Sequence, residues 1–168
     1  ITHHFLVYKM IELLVYADRY FAIIGGDVGD SFFYTPIAHD ASNILKFKTI
    51  DLDGDKISEV MTIFKFSSGE TTWTVLSMYK VTSKGIRRLF AHMLEFKSGK
   101  HFIKNTYTLK KKGKKYRITF KFAGASKSIT KKTWKGTPPD KAVEDYLYPW
   151  SPKKETYYFS NGSYNGGK

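Results

Sequence analysis

Four carboxylates within nine residues form the densest group of potential metal ligands in the sequence. Asp51, Asp53 and Asp55 occupy alternate positions, and Glu59 follows four residues after the last of them. A hard divalent cation such as calcium binds several oxygen ligands at once, and alternate side chains of a tight loop supply them from a short arc of backbone. The backbone carbonyl of Ile57 adds one further oxygen. Because four close carboxylates repel one another unless a cation is present, the segment predicts a calcium site.

The residues around these carboxylates favour a hairpin loop over an EF-hand. An EF-hand loop has Gly at its sixth position and a bidentate Glu at its twelfth, where this sequence has Lys56 and Thr62. The flanking segments have strand-like patterns rather than helical ones. Residues 50–60 instead resemble the loops of FG-GAP and VCBS repeats, which read Asp-Leu-Asp-Gly-Asp-Gly-x-x-Asp/Glu-Val. Such repeats occur in integrin α-chain β-propellers and in many bacterial surface proteins.

The resemblance extends over residues 44–96, about one repeat unit. It implies that the four carboxylates are the metal ligands and that four apolar side chains lie beneath the loop, namely Ile50, Leu52, Ile57 and Val60. Lys56 stands where the family has Gly, at a position that is often left-handed, so we expect a weaker site or a reshaped turn. With a single copy, the chain cannot form a complete propeller. The alternative is an Asp- and Gly-rich turn whose carboxylates face water.

The net charge of +13 is concentrated in the C-terminal part of the chain. Residues 1–96 have 10 Lys and Arg against 11 Asp and Glu, a net charge of −1, whereas residues 97–168 have 18 against 4, a net charge of +14. Residues 115–122 alternate strictly between polar, mostly basic residues and apolar ones. If this strand pairs with residues 103–110, five cations share one solvent face and form a candidate site for an anionic polymer: Lys104, Lys110, Lys115, Arg117 and Lys121.

The same alternation bears on the kind of anionic partner. It places the aromatic residues of this strand, such as Tyr116 and Phe120, on the face opposite the cations. Single-stranded nucleic acid is bound by cations and stacking aromatics together. The pattern therefore favours a contact through lysines alone, with nucleic acid as an alternative partner.

The composition predicts a mainly β fold. Val, Ile, Thr and aromatic residues fill the periodic segments. We expect an antiparallel meander sheet or sandwich that resembles a propeller blade, with an added basic hairpin and one short C-terminal helix over residues 138–147. Residues 31–43 are predicted to form a loop. The predicted strands cover residues 5–16, 20–24, 44–50, 60–66, 72–81, 88–96, 103–110, 115–122 and 129–134.

Length and apolar content favour a single domain over residues 1–150, followed by an extended, flexible tail over residues 151–168. The chain has no cysteine, which excludes disulfides and thiolate metal sites. No segment reaches the roughly 18 consecutive apolar residues that span a bilayer. The first residue is Ile, which fits either a fragment or a mature product after removal of a signal peptide.

No catalytic motif is apparent. The sequence has no phosphate-binding loop and no nucleophile elbow, and His92 is predicted to be a sheet residue rather than a ligand. We therefore expect a non-catalytic calcium-binding β-domain that is extracellular, on the cell surface or periplasmic. It would act in surface interaction or assembly, through an anionic polymer, an acidic protein surface or further copies of itself. The alternatives are a cytoplasmic nucleic-acid-binding protein and a carbohydrate-binding or enzyme accessory domain.

Overall fold

A computed structural model describes residues 2–7, 10–17, 19–24, 32–38, 40–82, 84–128, 154–160 and 163–166. These residues form two antiparallel sheets, which confirms the prediction of a mainly β fold. There is no α-helix among them, only one turn of 3-10 helix at Ala41–Asn43. The described part of the chain accordingly has no helix long and apolar enough to cross a membrane. The predicted strand 129–134 and the predicted helix 138–147 lie outside the described residues.

The N-terminal part forms a four-stranded sheet in which each strand pairs with the next. Its strands are β1 (Thr2–Val7), β2 (Met10–Ala17), β3 (Tyr20–Ile24) and β4 (Phe32–Pro36). Two predictions are wrong here. The segment 5–16 belongs to two paired strands, β1 and β2, rather than to one. The expected loop 31–43 contains β4 and the 3-10 turn. Asp40 caps this turn, because its side chain accepts a hydrogen bond from the Ser42 N–H at 2.8 Å.

The remaining strands form one eight-stranded sheet, again in sequence order. They are β5 (Ile44–Ile50), β6 (Glu59–Ser68), β7 (Thr71–Thr82), β8 (Gly85–Ser98), β9 (His101–Lys112), β10 (Lys115–Ala125), β11 (Glu155–Ser160) and β12 (Ser163–Gly166). The hairpins predicted between residues 44 and 122 are confirmed. The sequence predicted a free tail from residue 151, but β11 and β12 lie in that stretch and pair with β10 and with each other.

The central strands β6 to β8 are buried on both faces, which explains their nearly continuous apolar sequence. On one face, Phe21 of β3 packs edge-on against Tyr79, with ring centroids 5.5 Å apart. Both residues belong to a first hydrophobic cluster, which joins the two sheets and consists of Phe21, Ile23, Ile37, Val60, Phe64, Phe66, Trp73, Val75, Tyr79, Ala91, Met93 and Phe96. The second cluster fills the other face: Leu52, Met61, Ile63, Leu76, Met78, Phe90, Leu94, Ile118, Phe120 and Tyr157.

The second cluster exists because the eight-stranded sheet curls over itself. Only the last residues of β8, from Glu95 to Ser98, pair with β9. The strands beyond this point fold back, so that Phe120 of β10 stacks on Phe90 of β8 with centroids 5.8 Å apart. The curl brings the start of β10 to the loop 51–58, where the Tyr116 N–H donates to the Leu52 carbonyl at 2.8 Å. The candidate calcium loop therefore lies where two distant parts of the sheet meet.

Candidate functional site

The loop 51–58 joins β5 to β6, and its aspartates order its backbone. Asp51 accepts hydrogen bonds from the N–H groups of Gly54 at 2.7 Å and Lys56 at 3.2 Å. Asp53 accepts one from Asp55 at 3.2 Å, and Asp55 accepts one from Ile57 at 2.7 Å. Asp side chains favour such local turns because their oxygens reach backbone donors a few residues ahead. The alternate spacing thus makes a compact loop with several carboxylate oxygens on it.

Glu59, the first residue of β6, has a side chain with 0% exposure. Its Oε2 accepts the Leu52 N–H at 2.8 Å, while its Oε1 has no hydrogen-bond partner. Burial and, to a smaller extent, the negative charge of Asp53 raise the pKa of Glu59 to about 7, although the Leu52 N–H and Lys80 lower it. Glu59 Oε1 instead lies 3.3 Å from Lys80 Nζ, as expected because buried carboxylates are stable when paired with a cation.

The predicted ligands come together in part. Carboxylate oxygens of Asp51, Asp53 and Glu59 lie within 4.8 Å of one another, and no other such group of potential metal ligands occurs among the described residues. Asp55 is outside this group. Ile57 is half-buried and contributes its N–H to Asp55.

The apolar residues implied to lie beneath the loop divide between two cores. Leu52 is fully buried in the second cluster, against which Ile50 also packs. Val60 faces the opposite side of the sheet and belongs to the cluster that joins the two sheets. The loop is therefore anchored in the second core by Leu52, and β6 continues from it into the first.

Lys80 of β7 supplies a cation to the loop that the sequence did not predict. Its Nζ lies 2.9 Å from Asp55 Oδ2, 3.3 Å from Asp53 Oδ2 and 3.3 Å from Glu59 Oε1. Burial lowers the pKa of Lys80, but the hydrogen bond to Asp55 and the negative charges of Glu59 and Asp53 outweigh it and raise that pKa above its usual range. The four carboxylates do have a cation among them, as their repulsion requires.

Two backbone conformations allow the loop to close. Gly54 has φ +81°, and a Cβ placed there would lie 2.6 Å from the Lys114 carbonyl oxygen. Glycine is therefore required at residue 54 by the close approach of the β9–β10 turn. Lys56 has φ +73°, the left-handed conformation implied by the glycine of the FG-GAP family at this position. Its side chain is exposed.

A cavity of about 720 Å³ adjoins the loop on the side of Lys80. The ring of Phe159 on β11 forms part of its wall, and Lys80 Nζ lies 5.5 Å from the centroid of that ring. The cavity is lined by Asp53, Lys80, Thr82, Lys84, Gly85, Ile86, Arg87 and Phe159. The ammonium group thus borders open space and has an aromatic partner in addition to its carboxylate partners.

The five predicted cations of β9 and β10 are all exposed and form what we call the basic face: Lys104, Lys110, Lys115, Arg117 and Lys121. Lys110 lies opposite Arg117, and a bulge follows between Phe122 and Gly124. Within the described part of the chain, none of the five forms an ion pair. No Asp or Glu occurs in the sequence between Glu95 and Asp140. The basic face is consequently a surface of excess positive charge, with Glu95 opposite Lys104 as its one acidic neighbour in the described strand pairings.

Tyr158 of β11 is a residue of this surface that the sequence did not predict. It lies directly opposite Arg117 in the sheet and is 48% exposed. Phe102, near the start of β9, is 37% exposed. The signal for Tyr158 was the run of strand-favouring aromatic residues 157–159, which the Asn and Gly residues after it obscured.

His92 is a buried sheet residue, as predicted. Its ring stacks on Phe120 with centroids 3.7 Å apart, and its Nε2 lies 3.2 Å from Glu155 Oε2. It links β8 to β11 and is far in sequence from the loop carboxylates.

Comparison with protein-family models, with curated proteins and with solved structures found no match for this chain.

Proposed function

We propose that the protein is a non-catalytic, extracytoplasmic β-domain in which calcium stabilises the loop 51–58 and the basic face binds an anionic partner. Asp51, Asp53, Asp55, Glu59 and the Ile57 carbonyl are the proposed ligands. The observation that carries the proposal is the convergence of carboxylates on one point. The ammonium group of Lys80 contacts three of these carboxylates, those of Asp53, Asp55 and Glu59.

The spacing of the oxygens suits calcium. Calcium binds oxygen at about 2.4 Å, so two oxygens that share one ion lie at most about 4.8 Å apart. The oxygens of Asp51, Asp53 and Glu59 meet this limit. Glu59 adds a buried oxygen that lacks a hydrogen bond. Exclusively oxygen donors on a compact loop favour calcium over transition metals, which prefer imidazole or thiolate ligands.

The position of the loop indicates a structural role for the ion. Leu52 joins the loop to β10 through its carbonyl, and Gly54 lies against the β9–β10 turn. An ion that fixes this loop therefore stabilises the region where the curled sheet closes. The resemblance of residues 44–96 to one FG-GAP/VCBS unit supports the same role. Millimolar external calcium fills even weak sites, which is why we place the domain outside the cytoplasm.

Thermal unfolding and calorimetry test the calcium site. Because a ligand that binds only the folded state stabilises it, wild-type protein should melt at a higher temperature in millimolar calcium than in chelator. Asp53→Ala should lose this response and the heat of calcium binding. Glu70→Ala removes an equal charge from the exposed β6–β7 turn and should retain both. If wild-type protein melts at the same temperature in calcium and in chelator, the site is ruled out.

The anionic partner is proposed from the basic face. Five exposed cations, of which only Lys104 has an acidic residue opposite it in the described strand pairings, attract polyanions and accelerate their encounter. Rows of threonine hydroxyls lie between the cations: Thr106 and Thr108 on β9 and Thr119 on β10 share their face. Cations and hydroxyls together suit an extended anionic polymer better than a compact ligand, because they are spread along two strands.

One observation favours nucleic acid as a second candidate function. Exposed Tyr158 lies beside Arg117, so the face offers both an aromatic ring and cations. Single-stranded nucleic acid is bound by this combination, with a base stacked on the ring. Comparing oligonucleotide with heparin affinity in Tyr158→Ala distinguishes this candidate, because only stacking on bases depends on the ring.

A further inference from the structure

We infer that Lys80 sets the calcium affinity of the loop, because its ammonium group and calcium compete for the same carboxylates. The inference rests on the proposed calcium function and names the residue that controls it. Lys80 Nζ is within 3.3 Å of oxygens of Asp53, Asp55 and Glu59. Three of the four carboxylates proposed to bind calcium therefore share one ammonium group.

Simultaneous occupation is excluded by distance and charge. Calcium bound to the Asp53 and Glu59 oxygens would lie at about 2.4 Å from each. The ammonium nitrogen already lies 3.3 Å from each of these oxygens. Two cations would then stand within a few ångströms in a partly buried site, where their repulsion is poorly screened. Calcium binding thus requires that Lys80 leave.

The structure provides a route for this exchange. Lys80 is on β7, a strand whose pairing with β6 and β8 fixes its backbone. Its side chain is 18% exposed and borders the cavity lined by Thr82, Lys84 and Phe159. The ammonium group can turn away from the carboxylates into this cavity and retain its contact with the Phe159 ring, whose centroid already lies 5.5 Å from Nζ. Only side-chain rotation is needed, and the sheet stays intact.

Lys80, rather than Lys56, is the lysine that opposes calcium. Lys56 occupies the glycine position of the resembled family, but its backbone already has the left-handed conformation and its side chain is exposed. No ion pair joins Lys56 to the described loop carboxylates. The positive charge that competes with calcium therefore comes from the neighbouring strand and not from the loop.

The competition also gives the site selectivity. A tethered ammonium is present at high effective concentration, so a free monovalent ion of equal charge gains little by replacing it. A divalent ion interacts more strongly with the same carboxylate oxygens because it carries twice the charge. We therefore expect the loop to bind calcium when calcium is abundant and not to bind sodium or potassium.

Calcium titration by calorimetry tests this role in three proteins. We expect Lys80→Met to bind calcium at least about tenfold more tightly than wild type, since a competing charge is removed. Lys84→Met removes the same charge from the same cavity without touching a loop carboxylate, and its affinity should stay within about threefold of wild type. Lys80→Arg keeps the competing charge and should bind calcium no more tightly than wild type.

Lys80→Met leaves the buried Glu59 carboxylate without its ion-pair partner, so its fold is followed by circular dichroism. A variant that folds only when calcium is added supports the inference, because calcium then replaces the lysine directly. Equal calcium affinities of Lys80→Met and wild type overturn it and leave the calcium site standing. Binding by Lys80→Met but not by wild type supports Lys80 as the cation of the loop and overturns the calcium function. Absence of binding in both proteins overturns both.

Discussion

Glu59 shows how much a single ionisable residue depends on its surroundings in this protein. It is fully buried, one of its oxygens holds the Leu52 N–H, and the other faces the Lys80 ammonium group. Burial raises its pKa to about 7, from an ordinary value of 4.5. The fold thus favours the protonated form of Glu59 more than the unfolded chain does, whereas the ionised form is the one that binds a cation.

This shift predicts a specific pH dependence of stability in buffer that contains a chelator. Because the folded pKa lies above the unfolded one, the contribution of Glu59 is complete below about pH 4.5 and is lost as the pH rises through about 7. The loss is at most about 3 kcal/mol, at 1.36 kcal/mol per pKa unit. Urea denaturation across this range should show it.

Glu59→Gln isolates the contribution of this residue. The amide retains an oxygen that can accept the Leu52 N–H but does not titrate, so the variant's unfolding free energy should vary less between pH 4.5 and 7. Asp55, whose pKa lies below its ordinary value because hydrogen bonds from Lys80 and Ile57 outweigh its burial, titrates at more acidic pH. Parallel wild-type and Glu59→Gln curves would show that Glu59 is not the titrating group.

The residues of the site could be predicted from the sequence where they lie close together along the chain. Asp51, Asp53 and Glu59 fall within nine residues, and their types and spacing are sufficient to predict a cluster of carboxylates. Lys80 lies 25 residues beyond Asp55, and a lone lysine at the end of an apolar strand has no local partner to indicate its role. Only the pairing of β6 with β7 brings its side chain to the loop.

Among the elements, the loop 51–58 and the β9–β10 turn form a contact that depends on one glycine. We predict that Gly54→Ala destabilises the protein strongly, since its Cβ would meet Lys114 backbone oxygen at 2.6 Å. Gly69→Ala is the matched control: its φ is also positive, at +56°, but nothing lies within 4 Å of an added Cβ.

Chemical denaturation of the two variants separates steric clash from backbone strain. Gly69→Ala should cost about 1 kcal/mol, from the left-handed backbone alone. Gly54→Ala should cost about 1–3 kcal/mol more, the usual penalty of overpacking. Equal costs would mean that the loop moves freely away from the turn and does not hold the sheet closed.

Elements were predictable where alternation and turn residues agree. Strands β5 to β10 satisfy both conditions, with glycine turns such as those at Gly69 and Gly113 between them. β4 ends at Pro36 and precedes small polar residues, so its pattern resembled a loop. β11 and β12 lie next to Asn and Gly residues that favour coil. Their stability comes from the pairing of β11 with β10 and of β12 with β11 rather than from local preference. The break between β1 and β2 was hidden by a run that is apolar on both alternations.

At the scale of the whole molecule, the curl of the sheet separates two kinds of surface. The acidic loop is drawn against the β9–β10 turn, where Gly54 approaches Lys114. Five cations of that hairpin are exposed on the basic face. The opposite face of the same strands is apolar and packs on Phe90 and Leu76. One side of β9 and β10 therefore presents five of the 28 Lys and Arg residues of the chain.

Polyanion binding should depend on this side of the sheet. We predict that Arg117→Gln with Lys121→Gln weakens binding of both heparin and a thymidine oligonucleotide in fluorescence anisotropy. Each lost phosphate contact lowers the slope of log affinity against log salt by about 0.7 for a single strand, so the double variant should lose about 1.4. Lys56→Gln with Lys84→Gln changes the charge equally away from the basic face and should leave both affinities nearly unchanged.

Tyr158→Ala then distinguishes the kind of polymer. If bases stack on the exposed ring, oligonucleotide affinity should fall by about 1–3 kcal/mol, while heparin affinity should stay constant because heparin has no planar bases. Equal, small effects on both ligands would assign the face to anionic polymers in general and remove nucleic acid as the second candidate. If instead the Arg117 and Lys121 variant binds both polymers as tightly as wild type, the basic face is not the binding surface, whatever its charge.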